Sequence, residues 1–172
     1  MCLRAAVAGD AAGVRAFLRG LTLDSAYRRF FTGLGSVPES LVRRLLDTRD
    51  GRTVVLAVAG AEIVGVADTT VVDGGAAVEL GIVIADRWQR HGLGWLLADA
   101  ALAPAIAAKI ATLRAHTLAD NARVARMLRR RWPAASPCFD DGTLIWELTL
   151  TRSGTAGTPT AAAVGVPDFV TI

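Results

Sequence analysis

Six consecutive residues, Gln89-Arg90-His91-Gly92-Leu93-Gly94, stand between an apolar, β-branched run at 78–84 and an apolar run at 93–103 whose spacing is helical. A loop with two glycines that opens a helix offers backbone N–H groups to an anion. The glycines let the main chain approach closely, and the helix N-terminus adds partial positive charge. Arg87 and Arg90 add full charges beside it, so the stretch reads as a cradle for phosphate or pyrophosphate. Two familiar cradles are excluded. A P-loop requires a lysine and then Ser or Thr after its last glycine, whereas Trp95 follows Gly94. A dinucleotide fingerprint requires a small residue at 97, which is Leu97.

The elements that must hold this loop alternate between strand and helix. Leu3 to Val7 reads as a strand, and Asp10 as the N-cap of a helix over 11–21 with Val14, Phe17, Leu18 and Leu21 on one face. Residues 22–35 read as a polar and aromatic connection, after which Pro38 opens a second helix carrying Leu41, Val42, Leu45 and Leu46. Runs at 53–59 and 62–72 are strands around a Gly60-Ala61 turn, and Asp73-Gly74-Gly75 leads into a third strand ending at Ile84. Leu93, Leu96, Leu97, Ala100 and Ala101 form one face of the following helix. A strand at 112–118, a helix at 121–131 and a last strand at 144–150 complete the order. The expected fold class is α/β, a mixed and mostly antiparallel sheet flanked by helices.

Bulk properties bound the function. The 172 residues suffice for one domain with a real core, and 52% hydrophobic with 20% charged residues is globular composition. No apolar run reaches membrane length, since Asp99, Pro104 and Lys109 interrupt the longest, and the first residues do not form a signal peptide. Cys2 and Cys138 are too few for a disulfide framework or a metal site, so no metal and a cytoplasmic, reducing setting are expected. The net charge of +3 is carried almost wholly by arginine. Arg126, Arg129, Arg130 and Arg131 raise the question of nucleic acid, but no aromatic residues are interleaved with them for base stacking. They read as the solvated face of a helix. Residues 1–150 form the expected domain. Thr151 to Ile172, rich in Thr, Ala, Gly and Pro, is expected to be a disordered tail.

The loop Asp86-Arg87-Trp88-Gln89-Arg90-His91-Gly92-Leu93-Gly94, ten residues after Glu79, resembles the acyl-CoA loop of the GNAT superfamily of N-acetyltransferases. Ala119-Asp120-Asn121-Ala122-Arg123 resembles the segment whose Asn starts a helix facing CoA in that family. Leu23 to Phe31 is similar to a segment of bacterial protein lysine acetyltransferases. The resemblance covers 3–150 and implies a GNAT fold, acetyl-CoA as co-substrate, and acetyl transfer to an amine acceptor, a protein lysine or a small molecule. A monomer or homodimer with no nucleic-acid or membrane partner is expected. Residues 89–95 (Gln89, Arg90, His91, Gly92, Leu93, Gly94 and Trp95) and Asn121 would face the cofactor. Backbone amides of Ile82, Val83 and Ile84 would bind the thioester arm where the strand splays from its neighbour, often at a bulge. Tyr27, Arg28 and Arg29 would line the acceptor groove and contact an acidic protein surface around a target lysine or a carboxylated small amine.

Aminolysis of a thioester needs a neutral amine, and a lysine amine is neutral in only about one molecule in two thousand at pH 7. Glu79 is the candidate general base, sharing a strand face with Gly81 and Val83, and the resembling lysine acetyltransferases carry a glutamate at this offset. Asp68 is a second candidate. The tyrosine that many GNAT enzymes carry seven residues after the helix-starting Asn is replaced by Leu128, and Trp132-Pro133 stands where a Gly-aromatic pair is usual. His91 is expected to face solvent and His116 to be structural on a core-like strand. The alternative is a non-catalytic acyl-CoA-binding module, which would keep the loop and need no base.

Overall fold

The computed structural model describes residues 1–32, 35–49 and 51–150; the tail expected at 151–172 lies outside the described residues. The elements are β1 (Cys2–Ala5), α1 (Ala11–Arg19), α2 (Leu23–Phe30), α3 (Glu39–Arg44), β2 (Arg52–Ala59), β3 (Glu62–Val72), β4 (Ala77–Ile84), α4 (Leu93–Ala107), β5 (Thr112–Leu118), α5 (Ala122–Arg131), β6 (Cys138–Asp140) and β7 (Thr143–Thr149). They build one seven-stranded sheet in the order β1-β2-β3-β4-β5-β7-β6. Its pairs are antiparallel except β4 with β5, so the mixed, mostly antiparallel sheet read from the sequence is what forms.

Period-two alternation sorts the side chains between two cores. Leu80, Ile82 and Ile84 of β4 pack with Leu97, Ala101 and Leu102 of α4 and with Val124 and Leu128 of α5. Val83 points the other way, into a second core made by Val14, Phe17 and Leu18 of α1, Val42 of α3, and Leu56 and Val66 of the sheet. Each fully buried Leu or Ile is worth about 1.5–3 kcal/mol relative to exposure, so these two stripes hold the helices on their faces. No helix of the described residues is long and apolar enough to cross a membrane.

Four departures from the sequence reading have local causes. The stretch at 22–35 is not merely a connection, because α2 forms within it. The Thr22 side chain accepts from the Ser25 N–H as an N-cap, Arg28 pairs with Asp24 one turn earlier, and Phe31 ends the helix in the left-handed region. Its short length and largely polar face hid it. Helix α4 runs past the expected end at Ala103, through Pro104 to Ala107. Leu96 is 51% exposed, because α4 is apolar nearly all round and its pattern could not say which stripe would be buried. Finally, β6 is a short exposed edge strand paired with β7, opposite a tight Asp141-Gly142 turn. The Trp132-Pro133 departure leaves these strands in place, with Trp132 Nε1 donating to the Thr149 carbonyl at 3.0 Å.

Candidate active site

The sheet opens in its middle. Strands β4 and β5 pair only through Ala77, Val78 and Glu79 with Thr112, Leu113 and Arg114. Beyond Glu79 the β4 register with β3 runs on unbroken to Ile84, while β5 stays paired with β7 as far as Leu118. The two strands are therefore held by different neighbours and part from one another. No bulge in β4 is needed for this; the register shift in this part of the sheet lies at Ala57 and Val58 of β2. On the edge of β4 away from β3, alternate backbone groups between Leu80 and Ile84 face the gap.

At the far end of the gap lies the glycine loop. Arg90 (φ 69°) and Gly92 (φ 76°) are both left-handed and flank His91, so the chain reverses sharply before α4 begins at Leu93. Gly92, Leu93 and Gly94 are buried, whereas Arg90 and His91 are exposed. The first N–H groups of α4 have no preceding helical carbonyl, and the concave backbone suits an anion. Trp95 N–H is spent on the Gly92 carbonyl. What the turn offers to an anion is the Leu93 and Gly94 amides and, beside them, Arg90, which makes no ion pair among the described residues.

Two sequence assignments to this loop shift from contact to support. Gln89 donates its side-chain amide to Ser25 Oγ and the Ile84 carbonyl, both at 3.1 Å, and its N–H to the Asp86 carbonyl. It shapes the loop rather than reaching outward. Arg87 pairs with Glu62 at the β2–β3 turn and adds no charge to the cradle. Asp86 ties the loop to α2, accepting from the Thr22 N–H, the Thr22 hydroxyl and the Ser25 hydroxyl. Partial burial works to raise its pKa, but these hydrogen bonds outweigh it and hold the carboxyl below its ordinary value. Asn121, at the end of β5 across the gap, is buried and caps α5 by accepting from the Val124 N–H.

On the α1–α3 side of the sheet, a cavity of about 360 Å³ sits over the point where β4 and β5 part. Glu79 and His116 project into it from the two strands, with Nε2 and Oε1 3.8 Å apart. His116 is thus not a core residue. Alternation along β5 buries Leu113, Ala115 and Thr117 and turns Arg114 and His116 to the open face. Arg29 of α2 spans the floor of the cavity and makes a buried ion pair with Asp68. Gly81 permits it: a Cβ there would lie 2.1 Å from the Arg29 guanidinium. Asp68 is accordingly committed to Arg29, which leaves Glu79 as the cavity's accessible carboxylate.

Of the three residues expected at the acceptor, Arg29 lines the cavity and Tyr27 and Arg28 do not; Phe30 and the α2 cap Phe31 join it. Tyr27 is 47% exposed, and Arg28 pairs with Asp24 and with Asp120 at 3.3 Å. The helical period of α2, unread in the sequence, is what turns residue 29 rather than 28 inward. Two of the four α5 arginines singled out in the sequence are likewise engaged within the chain. Arg131 pairs with Asp99 and lies over Trp95, and Arg129 lies over the Trp146 ring.

A splayed pair of strands, a glycine loop at its end and a carboxylate at its apex are the features that comparison with known families addresses. The acetyltransferase (GNAT) family model matches residues 21–131. The chain belongs to that family. Its GNAT fold is shared with the GNAT domain of S. lividans PAT, at a TM-score of 0.77 and 20% identity over 86% of this chain and 89% of that one. A ribosomal-protein-alanine N-acetyltransferase from Brucella melitensis gives a TM-score of 0.66 at 21% identity, covering 87% of this chain and all (100%) of that one. The Salmonella typhimurium protein yncA, solved with its cofactor acetyl-CoA, gives 0.66 at 19% identity over 94% and 99% of the two chains. No curated protein sequence matches. The GNAT family uses acetyl-CoA.

Proposed function

We propose that this GNAT protein is an acetyl-CoA-dependent N-acetyltransferase that acylates a primary amine, a protein lysine included, with Glu79 as general base. The observation that carries the reading is the position of Glu79 at the last residue of β4 that pairs with β5. There the gap, which leads to the glycine loop, meets the cavity on the opposite side of the sheet. Acetyl-CoA, when bound, supplies the activated acyl group that the amine nitrogen takes up as the CoA thiol is released. Glu79 takes the proton from the acceptor ammonium. Unpaired N–H groups of β4 between Leu80 and Ile84 hold the thioester arm and polarise its carbonyl. Leu128, buried in the core where many family members have tyrosine, leaves the thiolate to depart without a dedicated acid, at modest cost for a group of pKa about 8.5.

Thiol release from acetyl-CoA in the presence of amine and peptide acceptors tests this. Turnover that is lost in Glu79→Gln while CoA affinity is kept is the expected result. Tight CoA binding with no turnover on any amine would overturn it and identify a non-catalytic acyl-CoA-binding module.

A further inference from the structure

The cavity holds more positive charge than its own carboxylates balance. Of its arginines, Arg29 is neutralised by Asp68. Arg44 and Arg52 remain. The Arg44 guanidinium makes no ion pair or hydrogen bond among the described residues, and its side chain is exposed at the end of α3. Arg52 is held in place by carbonyls, donating Nη2 to Arg44 O at 3.2 Å and Nε to Asp47 O at 3.4 Å. The nearby Asp47 carboxylate is taken first by Arg49, whose hydrogen bonds lower its pKa, with Arg52 contributing only a weaker attraction. Among the described residues neither Arg44 nor Arg52 is paired with a carboxylate.

Sheet register places this surplus relative to Glu79. Arg52 is the partner of Thr70, and Thr70 is the partner of Glu79, so the three lie in one row on one face. Two strand spacings, about 10 Å, separate the Arg52 and Glu79 backbones, and the side chains take up part of that. Arg44 and Phe30 also line an adjoining groove of about 290 Å³ beside Pro38 and Leu41. An acceptor with its amine at Glu79 extends along this row toward two arginines.

We propose that Arg44 and Arg52 form an anion subsite of the acceptor cavity, so that the favoured acceptor is an amine bearing a carboxylate or phosphate a few bonds from its nitrogen. The proposal rests on the amine-acetyltransferase reading above and adds the acceptor's chemical class. The same chemistry is present in a small amino acid or phosphorylated amine and in a lysine flanked by an acidic residue in a polypeptide.

The test compares matched acceptors that differ only in the anion: γ-aminobutyrate against γ-aminobutyramide, phosphoethanolamine against ethanolamine, and Glu-Lys against Gln-Lys in one capped peptide. The anionic member of at least one pair should have a kcat/KM at least tenfold higher, and which pair responds identifies the source. Arg44→Gln and Arg52→Gln should erase that preference mainly through KM, with the KM for acetyl-CoA unchanged. Arg44→Gln keeps the test open if Arg52→Gln, which loses two carbonyl contacts, folds poorly. Calorimetry of the same probes with the CoA-bound protein reads the subsite without turnover. Anion-dependent binding without acetyl transfer would support the subsite and overturn the catalytic reading. Turnover or binding indifferent to the anion, or a preference that survives in Arg44→Gln and Arg52→Gln alike, would overturn the subsite and leave the catalytic reading standing.

Discussion

Glu79 Oε1 and His116 Nε2 stand 3.8 Å apart on neighbouring strands, Glu79 in the last pair those strands make and His116 two residues past its partner Arg114. That separation is too long for a direct hydrogen bond, so a proton passing between them needs a bridging water or a small side-chain movement. Glu79→Gln should lower kcat/KM about a hundredfold or more at neutral pH, the usual scale for a lost general base. The deficit should shrink toward pH 10, where more acceptor amine is already neutral. A constant deficit across that range would mean a structural carboxylate.

His116→Ala tests the partnership. It should cost less than Glu79→Gln and leave the KM for acetyl-CoA unchanged. If both residues serve one proton, the double variant should be no slower than Glu79→Gln alone, because coupled residues do not add. Multiplied defects in a double-mutant cycle would show that they act independently.

The cradle makes its own prediction. Gly92→Asp places a side chain on a left-handed residue and a negative charge beside the bound pyrophosphate, and Gly94→Asp does the latter in the first turn of α4. Each should weaken CoA binding at least tenfold by calorimetry, while His91→Ala, whose ring is exposed, should change it little. Unchanged affinity in both glycine variants would remove the cradle from consideration.

Gly81 is the space in which the Arg29 side chain lies. Gly81→Ala should push aside the guanidinium, the end of a flexible side chain, and weaken its pairing with Asp68, lowering stability in urea unfolding. Asp68→Asn should cause a loss of similar size. A Gly81→Ala protein as stable as the parent would show that Arg29 has another place to go.

Asp86 supplies a pH dependence. Its folded-state pKa is lowered, so its contribution is fully present above the ordinary aspartate value of about 3.9 and is lost as pH falls below it, through the folded value. Asp86→Asn should therefore be less stable than the parent at pH 7, and the gap should narrow as pH falls below the ordinary aspartate range. Denaturant midpoints at pH 7, 4 and 3 measure this. A gap that stays constant would place the effect in shape rather than charge.

The sequence by itself determined whatever a local repeat or a short spacing encodes. Alternation in β4 put Glu79, Gly81 and Val83 on one face and Leu80, Ile82 and Ile84 on the other, and the two glycines after Gln89 marked the turn into α4. The same alternation along β5 already placed His116 opposite Leu113 and Ala115, although the residue reads as structural without its neighbours. Thr22, Ser25 and the Asp24–Arg28 spacing carried the signal for α2, too short to stand out. What only the tertiary structure decided depends on which strands and helices meet. The parting of β4 from β5 follows from their pairing with β3 and β7. The union of Arg29 with Asp68 joins residues 39 apart in sequence, and the row from Arg52 through Thr70 to Glu79 exists only in the register of three strands. Periodicity fixes the direction of a side chain relative to its own backbone. The company it keeps is set by long-range pairing, whose free energy is gained only when distant segments close on one another.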